Sequence, residues 1–158
     1  MKKVLVMSVT AVLAASPPNP VPDFTGHWKL VTQETEAFHG RGAIGNHDEP
    51  VVITQTATRL SVAVQSPDPA GRFEYDLTGA RLTSEARQGG SLWTVSHWEG
   101  TSLLSEGRRL FTTPKGSQPY DFAETRRLSA DGTRMMVQTR IKMFPRDLVR
   151  TSEYKRID

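Results

Sequence analysis

The chain predicts an all-β domain: an antiparallel up-and-down meander of eight to ten strands that closes into a barrel. Three observations lead there. After Asp23 the apolar residues recur at a spacing of two, and no stretch of a dozen residues carries a helical stripe. A short turn pattern repeats four times in order along the chain. Finally, a meander leaves two unpaired edges, which a small domain hides most simply by bringing its first and last strands together. At 158 residues, with 37% hydrophobic residues, 12 Gly, 10 Pro and no Cys, the chain has the size of one globular domain, and collagen-like, disulfide-stapled and wholly disordered classes are excluded.

The first residues do not belong to that domain. Met1, Lys2 and Lys3 form a basic start, Val4 to Leu13 an apolar run too short to cross a bilayer as a helix, and Ala14, Ala15 and Ser16 a small-residue cleavage region. Residues 1–15 therefore read as a signal peptide, which implies a periplasmic or secreted protein with no membrane insertion after its removal. Residues 16–22 (SPPNPVP) form a proline-rich extended tether, and the barrel occupies 23–158. The absence of Cys rules out a lipid-modified cysteine, a disulfide and a thiolate nucleophile or metal ligand.

The opening strand is expected at Phe24–Val31, where Phe24, Gly26, Trp28 and Leu30 share one face and His27 and Lys29 the other. Alternation continues in Leu60, Val62 and Val64, in Phe73, Tyr75 and Leu77, and in Met135, Val137, Thr139, Ile141 and Met143. One greasy and one wet face is the habit of antiparallel sheets. The four repeated tips are Thr56–Leu60, Thr78–Leu82, Glu99–Leu103 and Asp131–Met135, three of them with a glycine able to take the positive φ of a tight turn. Four hairpin tips predict eight paired strands, and a closing strand at Leu148–Arg156 completes the series. A two-layer sandwich is the competing architecture, but hairpin connections favour the barrel. An outer-membrane barrel would need aromatic girdles and uncharged outer rows, whereas these outer rows carry charges.

The charge balance excludes one partner class. The chain has 20 Lys and Arg against 17 Asp and Glu, and two of the lysines, Lys2 and Lys3, lie in the leader. The mature domain is then nearly neutral with its arginines scattered among acids, so nucleic acid is not an expected partner.

Asp23-Phe24-Thr25-Gly26-His27-Trp28-Lys29-Leu30 resembles the opening strand of small exported bacterial lipocalin-like β-barrel proteins, and Gly26-x-Trp28 is similar to the first-strand motif of the wider calycin/lipocalin superfamily. The resemblance continues in order through Ile53-Thr54-Gln55, Trp98–Leu103, Glu124–Gly132 and Tyr154-Lys155-Arg156. It implies a lipocalin-like barrel whose floor is plugged by Trp28, with a basic residue of the last strand covering it. Arg156 is the matching position and Arg150 the second choice. Both Trp28 and Arg156 would then serve barrel closure, through a guanidinium–indole contact of about 0.5–2 kcal/mol.

Residues for a ligand are sought on the middle strands: Trp93, His97, Tyr120, Phe122 and Glu124, with Trp98 beside them. Glu124 and Arg126 share the parity of Phe122 and form a buried pair if that face points inward. His39, His47, Asp48 and Glu49 lie in a glycine-rich connection that suits a lid or a polar loop, and their spacing lacks the short rigid pattern of a metal site. No metal or cofactor is expected. There is no Gly-x-Ser-x-Gly elbow and no phosphate-cradling loop, and Lys29–Gln33 replaces the glycine-rich continuation of haem-binding nitrobindin-type barrels. The function read from the sequence is binding of a small, mostly apolar ligand inside the barrel. The alternatives are a filled barrel acting as an envelope interaction module, and a cavity enzyme using His97 or Glu124.

Overall fold

The structure is a computed structural model and describes residues 20–35, 50–64, 72–85, 91–113, 116–142 and 146–158. The signal peptide, the first part of the tether and the segment from His39 to Glu49 lie outside the described residues. Ten antiparallel strands follow one another: β1 Gly26–Thr35, β2 Val51–Gln55, β3 Arg59–Val64, β4 Arg72–Asp76, β5 Leu82–Glu85, β6 Ser91–Glu99, β7 Ser102–Thr113, β8 Gly116–Leu128, β9 Arg134–Ile141 and β10 Leu148–Arg156. They form one sheet in the order β4-β3-β2-β1-β10-β9-β8-β7-β6-β5. The first and last strands are thus central neighbours, as closure of a meander requires, and the sheet curls into a nearly closed barrel with no helix among the described residues.

The closing ladder runs from Trp28 opposite Arg156 to Thr35 opposite Arg150. The opening strand begins and ends later than Phe24–Val31. A bulge between Leu30 and Thr32 lets it extend: it turns Val31 out to 51% exposure and changes the inward parity from Leu30 to Gln33.

All four repeated tips lie at the same end of the barrel, linking β2 to β3, β4 to β5, β6 to β7 and β8 to β9. In a meander every second connection returns to the same rim, which is why the pattern recurs at two-strand intervals. Gly79, Gly100 and Gly132 take positive φ there, and Asp131 caps its turn by accepting from the Thr133 amide at 3.1 Å. The tip at Thr78–Leu82, however, does not join a paired hairpin. β4 and β5 are the two edges of the sheet, and the barrel wall is interrupted between them. The Asp76 carboxylate accepts from the Thr78 amide at 2.9 Å and turns the chain off its own ladder, while Leu77 donates back to Thr58 on the β3 side.

The floor is at the tip-bearing end. Phe24, Trp28, Ile53, Leu60, Tyr75, Leu103 and Met135 are at most 1% exposed and pack as one cluster. At about 25 cal/mol per Å² such large side chains supply most of the stability of a domain this size. Phe24 stacks on Trp98 with ring centroids 6.0 Å apart. The Trp28 indole N–H donates to the Phe24 carbonyl at 2.9 Å, so the buried ring leaves no polar atom unpaired.

Candidate functional site

Arg156 lies over Trp28 with its guanidinium carbon 4.5 Å from the ring centroid. Its nitrogens donate to the carbonyls of Gly132 at 3.1 Å, Thr25, and Asp23 at 3.4 Å. One side chain of the last strand therefore fastens the entry segment and the β8–β9 turn around the plug. Gly26 has φ +143°, and a Cβ there would meet Arg156 Nη1 at 2.7 Å and the Asp158 carboxylate at 3.0 Å. The Gly-x-Trp pair is a packing requirement of this closure.

The interior above the floor is polar at its centre. Ladder partners share a face, so the register assigns the inward rows: Leu103, Ser105, Gly107 and Arg109 on β7 face inward with Arg126, Glu124, Phe122 and Tyr120 on β8. Glu124 is 9% and Arg126 5% exposed. The Glu124 carboxylate accepts from Arg126 Nη2 at 2.9 Å, from the Tyr75 hydroxyl at 2.8 Å and from Thr139 at 3.3 Å. Burial alone would raise the Glu124 carboxyl. The charges of Arg126 and Arg109, with the hydrogen bonds from Arg126 and Tyr75, outweigh burial and hold the carboxyl down at about 2. Burial pushes the Tyr75 phenol up, so it stays a neutral donor. Tyr75 comes from edge strand β4, and its bond to Glu124 ties that edge to β8 through the interior.

Arg109 occupies the next position toward the far rim. It is 9% exposed, and its guanidinium carbon lies 4.7 Å from the Phe73 ring centroid, 4.6 Å from Tyr75 and 4.4 Å from Phe122. On neighbouring β6, Ser96 and Ser105 of β7 share a buried hydroxyl contact of 2.8 Å. Three interior polar atoms among the described residues, Thr94 Oγ1, Arg109 Nη2 and Arg126 Nε, are buried without a hydrogen-bond partner.

The sequence-chosen residues divide between the two faces. Phe122, Glu124 and half-buried Tyr120 face inward, as does Trp98. Trp93 and His97 do not: they pair with Arg108 and Leu104 on the outer face, His97 is exposed, and Trp93 is covered from outside by Arg81 at 4.4 Å. The reason is that β6 sends Thr94 and Ser96 inward, so its aromatic positions at 93 and 97 cannot also line the interior. A cavity enzyme built on His97 loses its residue to solvent. Tyr75, Arg109 and Thr94 were not singled out from sequence. The available signal for Arg109 was its place in the inward phase Leu103, Ser105, Gly107 of its strand.

No group of three or more His, Asp or Glu among the described residues is arranged to hold a metal. On the outer face, Arg59, Arg72 and Glu74 border a shallow depression of β2–β4, with the Arg72–Glu74 ion pair at 2.9 Å. These charges guard an edge strand.

No protein-family profile and no curated protein sequence matches the chain. Solved structures do. The REP1-NXSQ fatty acid transporter superposes with a TM-score of 0.56 at 15% identity, covering 85% of this chain and 96% of its own. The zebrafish ileal bile acid-binding protein complexed with cholic acid gives 0.56 at 13% identity, covering 85% and 98%. Fatty-acid-binding protein 1 of Echinococcus granulosus gives 0.53 at 12% identity, again covering 85% and 98%. The shared feature is the fold, an antiparallel β-barrel.

Proposed function

We propose that the protein is an exported lipocalin-like barrel that binds a small, mostly apolar molecule in the half of its interior remote from Trp28. The observation that carries this reading is a gradient of burial along the inward rows. On β3 Leu60 is 0% exposed and Val62 8%, and Val64 is only half-buried. On β4 Tyr75 is buried and Phe73 half-buried, on β6 Ser96 and Thr94 are buried and Leu92 half-buried, and on β8 Phe122 is buried and Tyr120 half-buried. Side chains that point inward and still meet solvent border interior space that the protein leaves unfilled, and most of them are apolar or aromatic. The ligands named for the structural neighbours, fatty acids and cholic acid, are of the same apolar class. The leader at residues 1–15 supports a periplasmic or secreted setting.

A second reading, a filled barrel acting through its surface, draws support from Tyr75 and Arg109, which occupy the centre of the interior. Organic extraction of the purified mature protein followed by mass spectrometry separates the two. A stoichiometric small molecule, or saturable binding of an apolar fluorescent probe displaced by it, is the result expected of a ligand-binding barrel. A clean extract together with no probe binding overturns it in favour of the filled barrel.

A further inference from the structure

We propose that the outer face of β1, β9 and β10 at the floor end docks the protein on the surface of an anionic phospholipid bilayer. Along the sequence the cations are spread among acids, but the strand register brings some of them together. Lys29 on β1 stands directly opposite Lys155 on β10, and Lys155 directly opposite Arg134 on β9, so three cations form one row across three strands. All three are exposed. Like charges in such positions lie about 5 Å apart at Cβ and oppose strand pairing. Arg134 is compensated by an ion pair with Glu153, whereas Lys29 and Lys155 have no acidic partner among the described residues. Elsewhere on the outer wall Arg72 and Arg59 are matched by Glu74, at 2.9 and 3.5 Å, and Arg108 by Asp121 at 2.9 Å. The row thus keeps a repulsion at the β1–β10 seam that one acidic residue would remove.

Apolar side chains accompany the row. Four large hydrophobic residues are exposed among the described ones, Val21, Val31, Met136 and Ile157, and the last three each follow one of these cations by two positions. Two positions are one step along the outward side of a strand. The bulge after Leu30 is what turns Val31 out, and the Ile157 amide donates to the His27 carbonyl at 2.9 Å, which holds Ile157 on the wall. A soluble polyanion would use the cations and leave the apolar groups in water, and an apolar partner would have to strip water from the cations. An anionic bilayer satisfies both. Its phosphates meet the ammonium and guanidinium heads, and the boundary with the acyl chains takes the apolar tips and the lysine stems. Contact is confined to the headgroup level, and no strand crosses. The half-buried interior residues remote from Trp28 stay clear of the bilayer, so docking of this kind is independent of what the interior holds.

Co-sedimentation of the mature protein with vesicles tests this. Phosphatidylcholine vesicles containing about one-third phosphatidylglycerol should bind it at low salt and release it as ionic strength rises, and pure phosphatidylcholine vesicles should not bind it. Lys29→Gln combined with Lys155→Gln should weaken the partition about 25-fold, at about 5-fold per cation near an anionic surface. Met136→Ser should weaken it about 3- to 10-fold through lost burial of its apolar surface. No binding to the anionic vesicles overturns the proposal, and so does equal binding to the neutral ones. Vesicle binding that Met136→Ser leaves intact, with equal binding to soluble dextran sulfate, assigns the face to soluble polyanions or acidic proteins and overturns the bilayer as its partner. Thermal melts of the variants add a readout that needs no lipid. Removing the repulsion should leave the midpoint of the double lysine variant unchanged or higher. A lower midpoint shows that the two lysines serve the fold, and refutes the proposal.

Discussion

The barrel has two seams, and they are held together in different ways. At the β1–β10 seam a ladder runs the length of the strands from Trp28 opposite Arg156 to Thr35 opposite Arg150. At the β4–β5 seam the ladder is missing, and the gap is spanned by side chains: Tyr75 reaches Glu124 and Arg109 lies across Phe73 and Tyr75. A ladder distributes closure over many backbone groups, none of which depends on a particular side chain. Side-chain closure concentrates it in a few buried polar residues, each unforgiving of substitution. The same residues occupy the level at which the interior begins to meet solvent, so the weaker seam and the candidate site are built from one set of side chains.

The largest effect should come from breaking the side-chain seam. Arg126→Met leaves the Glu124 carboxylate buried beside a neutral neighbour and is expected to cost about 3–5 kcal/mol, read from the urea midpoint. If the loss is under about 1 kcal/mol, Arg109 alone suffices for the carboxylate and the seam is more tolerant than its geometry indicates.

Acid should open the same seam. The folded-state value of the Glu124 carboxyl, about 2, lies below its ordinary 4.5, so its contribution to stability is fully present above the ordinary value and is lost as pH falls toward about 2. Thermal melts across that window should show a steep decline that flattens in Glu124→Gln. An unchanged slope in the variant would assign the acid sensitivity to other carboxylates, such as that of Asp131, also held at about 2 by its hydrogen bonds with Ser129 and Thr133.

The ladder seam has one vulnerable point, Gly26. A side chain there meets Arg156 and Asp158 at a backbone angle suited to glycine, so Gly26→Ala should cost about 1–3 kcal/mol in a chemical melt. Loss of the Arg156–Trp28 contact would also be visible as a change in tryptophan fluorescence. The smallest effect is expected away from both seams. Arg108 and Asp121 pair at 2.9 Å on the outer face at 50% and 42% side-chain exposure, and Arg108→Ala should change stability by less than about 1 kcal/mol.

Much of this was legible in the residues, for identifiable reasons. On β9 the sequence alternation and the burial agree at every position from Arg134 to Ile141, because one side carries Met135, Val137 and Ile141 and the other Arg134, Gln138 and Arg140. On β6 the same reasoning places Trp93 and His97 wrongly. That strand turns Thr94 and Ser96 inward and leaves Trp93 outside under Arg81, so hydrophobicity there does not identify the inner face. The four tips mark one rim correctly. They do not reveal that one of them spans a gap, since a turn sequence specifies a reversal of direction and says nothing about whether the strands beyond it pair.

Local sequence therefore determined what local physics controls: the strand period, the turn positions, the closing strand at Leu148–Arg156 and the Gly26-x-Trp28 opening. Tertiary structure alone decided which polar groups meet across the interior. Tyr75 and Glu124 are separated by 49 positions, and Arg109 meets rings from β4 and β8 only once the wall has curled. Contacts across a barrel depend on strand register and curvature summed over the whole sheet, and no short window of residues contains that sum.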